Sequence, residues 1–184
     1  MSFWKKKDNL IITGFVVVFF TGLTVWLNLC NVNAAFYSSN TVSPSQVPFI
    51  DKDENALTLS SFQGKPLVVN MWATWCPSCV KKMGSFHRFT EKFEAAGGQV
   101  LNISQDKSVG PVRAYYARNG FHFPLYLDTT GQLLDAFNGT GLPTTIFIGS
   151  SGQEMGRIRG GFDWDSPEAA VLVQKYFGLT LTNK

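Results

Sequence analysis

The chain has 184 residues, 45% of them hydrophobic, and a formal net charge of +3. That is enough for one domain with a full core. Residues 1–46 hold Lys5, Lys6, Lys7 and Asp8 and no other charge, so the remainder carries 13 basic against 12 acidic residues. A near-neutral domain without a basic stripe excludes nucleic acid as its partner.

The first nine residues end in Lys5-Lys6-Lys7-Asp8-Asn9 and read as a cytoplasmic flank. Leu10 to Cys30 come next, 21 residues without a charge, LIITGFVVVFFTGLTVWLNLC. A helix of that length spans roughly 30 Å, the thickness of a hydrocarbon core. Lysines before a span stay in the cytoplasm, so the chain beyond the span is exported. A cleaved signal peptide would use the small residues near Val32-Asn33-Ala34-Ala35, but its apolar stretch is normally shorter. A lipoprotein site at Cys30 conflicts with the bulk of Leu29. We read residues 10–30 as a single-pass anchor. Residues 31–46, NVNAAFYSSNTVSPSQ, read as a tether, and residues 47–184 as the exported domain.

Beyond the tether, strand and helix signals alternate. Val47–Ile50 and Ala56–Leu59 predict short strands around the acidic turn Asp51–Asn55. Leu67–Met71 is a buried-strand run. A helix is expected from Pro77 to about Ala96, with Met83, Phe86, Phe89 and Phe93 on its core face and Gly97-Gly98 as its stop. Val100–Ser104 predicts a strand, and Pro111 opens a helix ending at Asn119-Gly120. Leu125–Leu127 predicts a short strand and Gln132–Phe137 a helical turn or two. Thr144–Ile148 and Glu154–Ile158 predict an antiparallel hairpin about Ser150-Ser151-Gly152. A last helix is capped by Ser166, begins at Pro167 and stops at Gly178. This order describes an α/β sandwich with a mixed sheet.

The chemistry concentrates in Met71-Trp72-Ala73-Thr74-Trp75-Cys76-Pro77-Ser78-Cys79-Val80-Lys81-Lys82-Met83. Of three cysteines, Cys30 sits at the membrane face, so the domain has only Cys76 and Cys79. A disulfide scaffold is thereby excluded. A cysteine at the start of a helix faces free N–H groups and the positive end of the dipole, which stabilises a thiolate. Lowering a thiol pKa from about 8.5 to about 7 raises the reactive fraction at pH 7 from roughly 3% to half. Cys79, one turn on, can resolve a mixed disulfide by attacking Cys76, and Pro77 suits a first helical position that needs no donor. Two other readings are zinc, which lacks two further ligands at finger spacing, and an inert disulfide. His87 reads as a surface side chain, and His122, between Phe121 and Phe123, as partly buried and structural. In Gly141-Leu142-Pro143-Thr144-Thr145 a proline precedes a strand, where it lacks a ladder donor. A cis Leu142–Pro143 bond would fit there and expose the Leu142 backbone to an incoming chain.

Together these stretches resemble the thioredoxin fold, and within it the membrane-anchored TlpA/ResA/CcmG (DsbE) group of thiol:disulfide interchange proteins. The resemblance covers roughly residues 47–178. It is carried by Phe62-Gln63-Gly64-Lys65-Pro66-Leu67-Val68-Val69-Asn70 leading to Trp75-Cys76, by Gly141–Thr145 as the cis-proline loop, and by Gly152, Gly160-Gly161 and Trp164 as a closing hairpin. The run Gly160–Ala169 looks most like TlpA. The resemblance implies a mixed central β-sheet flanked by helices, with an N-terminal β-hairpin extension. It implies Cys76 and Cys79 as the catalytic pair, Trp75, Pro77, Leu142 and Pro143 as the partner-binding surface, and no cofactor beyond the redox-active disulfide.

The same likeness implies a location and partners: a bacterial inner-membrane protein with its catalytic domain in the periplasm. Partners would be oxidised cysteine pairs in apocytochrome c, in a Sco-type copper chaperone or in the copper subunit of cytochrome oxidase. An integral membrane donor would return the electrons. Three positions tune or depart from the pattern. Asn70 stands where cytoplasmic thioredoxins have a buried aspartate, Ser78 stands where a proline often precedes the second cysteine, and Lys82 replaces the group's usual acid. An ammonium at Lys82 would favour the Cys76 thiolate and make the pair more oxidising, unless the side chain points into water. The alternatives are an oxidase or isomerase, suggested by Lys82 and Ser78, and a copper chaperone holding metal on the two soft thiolates. Against the chaperone stands the lack of a methionine or histidine near the motif other than Met83 and His87 on the helix.

Overall fold

The computed structural model describes residues 43–182. The expected flank, anchor and most of the tether lie outside the described residues. Among the described residues no helix is long and apolar enough to cross a membrane. Within the stretch expected as tether, Pro44–Gln46 form a 3-10 turn.

Among the described residues, seven strands build one mixed sheet in the order β2-β1-β5-β4-β3-β6-β7. At one edge β1 (Phe49–Asp51) and β2 (Ala56–Leu57) form the anticipated N-terminal hairpin, with Phe49 opposite Leu57. Its turn is organised by the Asp51 carboxylate, which accepts the backbone N–H groups of Asp53 and Asn55 at 2.8 and 3.0 Å. The second expected strand stops at Leu57. Leu59–Phe62 instead form a 3-10 segment that turns Leu59 into the core at 4% exposure.

The central strand β3 (Leu67–Trp72) is buried along its whole length. It runs parallel to β4 (Gln99–Ser104) and antiparallel to β6 (Thr144–Ile148). A strand covered on both faces must be apolar on both, which explains the continuous run Leu67-Val68-Val69. Its period of two sends Val68 and Trp72 to one face of the sheet and Leu67, Val69 and Met71 to the other. Asn70 shares the parity of Val68 and Trp72, so an amide is aimed into the aromatic face.

That face is covered by α1 (Pro77–Ala95), α2 (Val109–Asn119) and α4 (Pro167–Phe177). Met83, Phe86, Phe89 and Phe93 of α1 are all at most 2% exposed, as their spacing required. Trp164 joins them, its ring centroid 4.6 Å from Phe89 and 5.2 Å from Phe86. The opposite face is closed by Leu59, Phe137 and the short α3 (Gln132–Ala136). Strand β5 (Tyr126–Leu127) joins β4 to β1, and β7 (Glu154–Arg159) finishes the sheet against β6. Helix α2 starts two residues before Pro111. Pro111 is then in the first turn, whose N–H groups have no helical partner, so the ring displaces no hydrogen bond. Gly120 ends α2 in the left-handed region at φ 67°, where a Cβ would be strained.

Candidate active site

The C-terminal end of β3 leads through Ala73-Thr74-Trp75 into Cys76, the N-cap of α1. Cys76 and Cys79 are joined as a disulfide, with Cα atoms 5.3 Å apart. The Cys76 sulfur takes the role that a serine or aspartate oxygen plays at other helix starts: it accepts the Cys79 N–H at 3.3 Å. Pro77, at the first helical position, has no N–H to compete for it. Cys76 is the more exposed sulfur residue, at 6% against 2% for Cys79. An incoming thiolate or disulfide therefore meets Cys76 first, with Cys79 behind it.

Different surroundings face the two sulfurs. Beside Cys76 lies an open groove of about 790 Å³, bordered by Trp75, Pro77, Ser78, Gln105, Lys107 and Leu142. Trp75 is 65% exposed at its rim, large enough to stack on a docked chain. Ser78 Oγ lies 3.3 Å from Cys76 Sγ and 3.5 Å from the Leu142 carbonyl, linking the helix start to the loop before β6. The Leu142–Pro143 peptide is cis, as the sequence suggested. Of the four residues expected to meet a partner, the structure gathers Trp75, Pro77 and Leu142 at this groove. Pro143 is buried and lies on the Cys79 side.

Behind Cys79 is a small cavity of about 10 Å³, lined by Asn70, Lys82, Met83, Pro143, Thr145 and Trp164 among others. That volume is near the smallest that admits a single water. Asn70 and Thr145 in its wall begin a chain of neutral groups. Thr145 Oγ1 donates to Asn70 Oδ1 at 2.9 Å, Asn70 Nδ2 to Asn102 Oδ1 at 2.7 Å, and Asn102 Nδ2 to the Tyr116 hydroxyl at 2.9 Å. Burial pushes the Tyr116 phenol far above its ordinary range, so it stays protonated. Trp72 stacks beside it, with its Nε1 buried. Asn102 was not singled out in the sequence; the signal was a lone amide within an apolar strand, in register with Asn70.

Lys82 is partly exposed and lies on the Cys79 side of the pair. It is half-buried against the Cys79 cavity, and its Nζ is 3.4 Å from Asp163 Oδ2. Arg88, six residues further along α1, holds Asp165 with both Nε and Nη2. These pairs and Trp164 dock the segment after β7 over α1. Arg88 holds the Asp165 carboxyl below its usual range.

The two histidines exchange the roles expected of them. His87 is half-buried against Phe121 and Phe123, with centroids 5.1 and 5.0 Å away, and burial lowers its pKa. His122 is exposed, because its backbone rather than its ring faces inward: its N–H donates to His87 Nε2 at 3.3 Å. Met83 Sδ accepts from Asn102 at 3.4 Å. Among the described residues, no three His, Cys, Asp or Glu side chains gather within reach of one ion.

Asp106 was also missed. It lies just beyond the C-terminal end of the interior strand β4 and is 4% exposed. Its carboxylate accepts Thr74 N–H at 2.9 Å, Thr74 Oγ1–H at 2.6 Å and Ser104 Oγ–H at 2.6 Å. Polar Ser104-Gln105-Asp106 at the C-terminal ends of parallel strands was the available signal, since α/β sites collect there.

A vicinal cysteine pair at a helix start on this sheet defines a thioredoxin-like thiol:disulfide oxidoreductase. Comparison with known proteins agrees. The AhpC/TSA family profile matches residues 40–153. Thiol-disulfide oxidoreductase ResA of Bacillus subtilis (strain 168) is 31% identical over 163 residues, covering 85% of this chain and 88% of the relative. A thiol:disulfide interchange protein of the thioredoxin family from Chlorobium tepidum superposes with TM-score 0.55 at 26% identity, covering 69% of this chain and 91% of that one. A secreted Mycobacterium tuberculosis disulfide oxidoreductase homologous to E. coli DsbE shares the fold at TM-score 0.56 and 20% identity, over 68% of this chain and 92% of its own. The chain belongs to the AhpC/TSA family, among its ResA- and DsbE-type thiol-disulfide oxidoreductases.

Proposed function

We propose that the Cys76–Cys79 pair reduces disulfides of exported partner proteins, with Cys76 as nucleophile and Cys79 as resolving thiol. The observation that carries this reading is the asymmetry of the pair: Cys76 opens on a groove and caps α1, whereas Cys79 is enclosed. The Cys76 thiolate attacks one sulfur of the partner's disulfide, and the other sulfur leaves as a thiolate and takes up a proton. Cys79, deprotonated, then attacks Cys76 Sγ and frees the partner's second sulfur as a thiol. Two electrons and two protons pass to the partner, and Cys76–Cys79 is left oxidised. A dithiol in an integral membrane donor restores it.

In this reading residues 10–30 anchor the chain in a bacterial inner membrane and residues 31–46 let the domain reach partners in the periplasm. Trp75, Pro77 and Leu142 line the docking groove, and Pro143 supports Leu142 from behind. The ResA and DsbE likeness favours cytochrome c maturation, with apocytochrome c as partner. A Sco-type chaperone or the oxidase copper subunit, the TlpA-like assignment, has the same chemistry. The redox-active disulfide serves without a further cofactor.

The second reading is an oxidase or isomerase, favoured by Ser78. Its hydroxyl, 3.3 Å from Cys76 Sγ, can donate to the thiolate and stabilise the reduced pair. The reduction potential decides between them, tracked by tryptophan fluorescence against a defined thiol buffer. A value near −270 mV, roughly that of thioredoxin, supports the reductase, and one near −120 mV, roughly that of the strong oxidants, supports the oxidase. Cys76→Ser is expected to abolish insulin reduction, and Cys79→Ser to trap mixed disulfides. Undiminished reduction by Cys76→Ser would sink both readings.

A further inference from the structure

We propose that Asp106 is a positioning residue for Cys76, and that its carboxylate holds back the Cys76 thiolate and so keeps the pair reducing. The inference rests on the dithiol reading above. Among the described residues, Asp106 ties the loop before Cys76 to the neighbouring strand through its side chain: both carboxylate oxygens are engaged, by the Thr74 N–H, the Thr74 hydroxyl and the Ser104 hydroxyl. Ser104 Oγ in turn accepts the Asp106 N–H at 3.0 Å, which orients its proton toward the carboxylate. All three side-chain and loop contacts donate to Asp106, the pattern of an acceptor-only carboxylate.

Thr74 is two residues before Cys76, a chain path of roughly 7 Å and within one Debye length. The intervening turn is closed by Cys76 N–H to the Ala73 carbonyl at 3.2 Å. Fixing Thr74 therefore fixes where Cys76 meets the N-terminus of α1. The same contact holds the buried Asp106 carboxylate on Thr74, two residues along the chain from Cys76, where a negative charge would oppose the helix start that stabilises the thiolate. The charged groups lining the two cavities that meet at the disulfide are Lys107 and Lys82. Lys107 Nζ donates to the Thr129 carbonyl, and Lys82 faces Asp163. Among the described residues, Asp106 forms no salt bridge to either.

The test is the pH profile of Cys76 alkylation in the reduced, purified chain, paired with the equilibrium between its disulfide and dithiothreitol. Asp106→Asn is expected to move the alkylation midpoint to lower pH, with Cys76 reacting about threefold faster or more at pH 6, where the rate tracks the thiolate fraction. The disulfide should become correspondingly easier to reduce. Asp106→Glu keeps the charge and should restore the wild-type midpoint. Thr74→Val removes one hydrogen bond but not the anion, and should leave the midpoint in place. Should the amide variant unfold, Asp106→Ser gives the same neutral comparison. An unmoved midpoint and equilibrium in the neutral variant, with only a lower melting temperature, would make Asp106 structural and overturn the proposal. A wild-type chain that reduces no disulfide would instead sink the dithiol reading.

Discussion

The two flanks of the disulfide share the start of α1 and the loop into β6 yet are opposites. On the Cys76 side the groove is wide, Trp75 is 65% exposed, and the polar groups are side chains that solvent can reach. On the Cys79 side the space holds at most one water, and the buried polar groups are two amides, a threonine and a tyrosine. One sulfur is presented to macromolecules and the other is reserved for its neighbour. The enclosed flank is also where folding energy concentrates, so substitutions there read out as stability, while those on the open flank read out as reactivity.

The largest break in that contrast is Trp164→Ala. The ring packs on Phe86, Phe89 and Phe162 and is 6% exposed, so its loss should cost about 3–5 kcal/mol in denaturant unfolding and open the Cys79 flank. A cost below about 1 kcal/mol would mean that the enclosed flank does not hold the fold together. Next is Asn70→Ala, which strands the Thr145 hydroxyl and the Asn102 carbonyl. About 1–3 kcal/mol should be lost, and Asn70→Asp should add a decline in stability as pH rises, because a buried carboxyl is easiest to keep neutral.

A double-mutant cycle of Lys82→Ala with Asp163→Ala should give only about 0.2–1 kcal/mol, since both side chains are substantially solvated and the 3.4 Å contact is screened. A larger coupling would bring Lys82 into the enclosed flank's machinery. Trp75→Ala should change stability by less than about 0.5 kcal/mol while slowing reaction with protein disulfides more than with small ones, measured as kcat/KM for each. Equal slowing would mean that the groove does not discriminate. At His87 the net change is smallest and lies in the slope. Burial lowers its folded pKa below 6.5, so the stability it contributes is present above about pH 6.5 and is lost as pH falls through the folded value. His87→Asn should flatten that part of the stability–pH curve; an unchanged slope would assign the acid limb to other groups.

The motif-bearing strand and helix were legible from the residues alone, because their signals are local. An unbroken apolar run demands a two-sided strand, the spacing of Met83, Phe86, Phe89 and Phe93 defines one helical face, and Pro77 with Gly97-Gly98 marks that helix's limits. Cys76 and Cys79 were legible for the same reason, since their chemistry depends on a three-residue spacing. The strand expected through Leu59 failed because packing of Leu59 into the core outweighs a weak β preference in so short a segment. Which polar groups meet depended on the folded arrangement: Asp106 with Thr74 across 32 residues, Asn70 with Asn102 across 32 and with Thr145 across 75, and Lys82 with Asp163 across 81. Nothing in local spacing encodes such contacts. Strand register fixes the Asn70 contacts, and the segments leaving the strands bring Asp106 to Thr74 and Asp163 to Lys82. The loop after α2 turns the His122 backbone toward His87, which is the half-buried histidine.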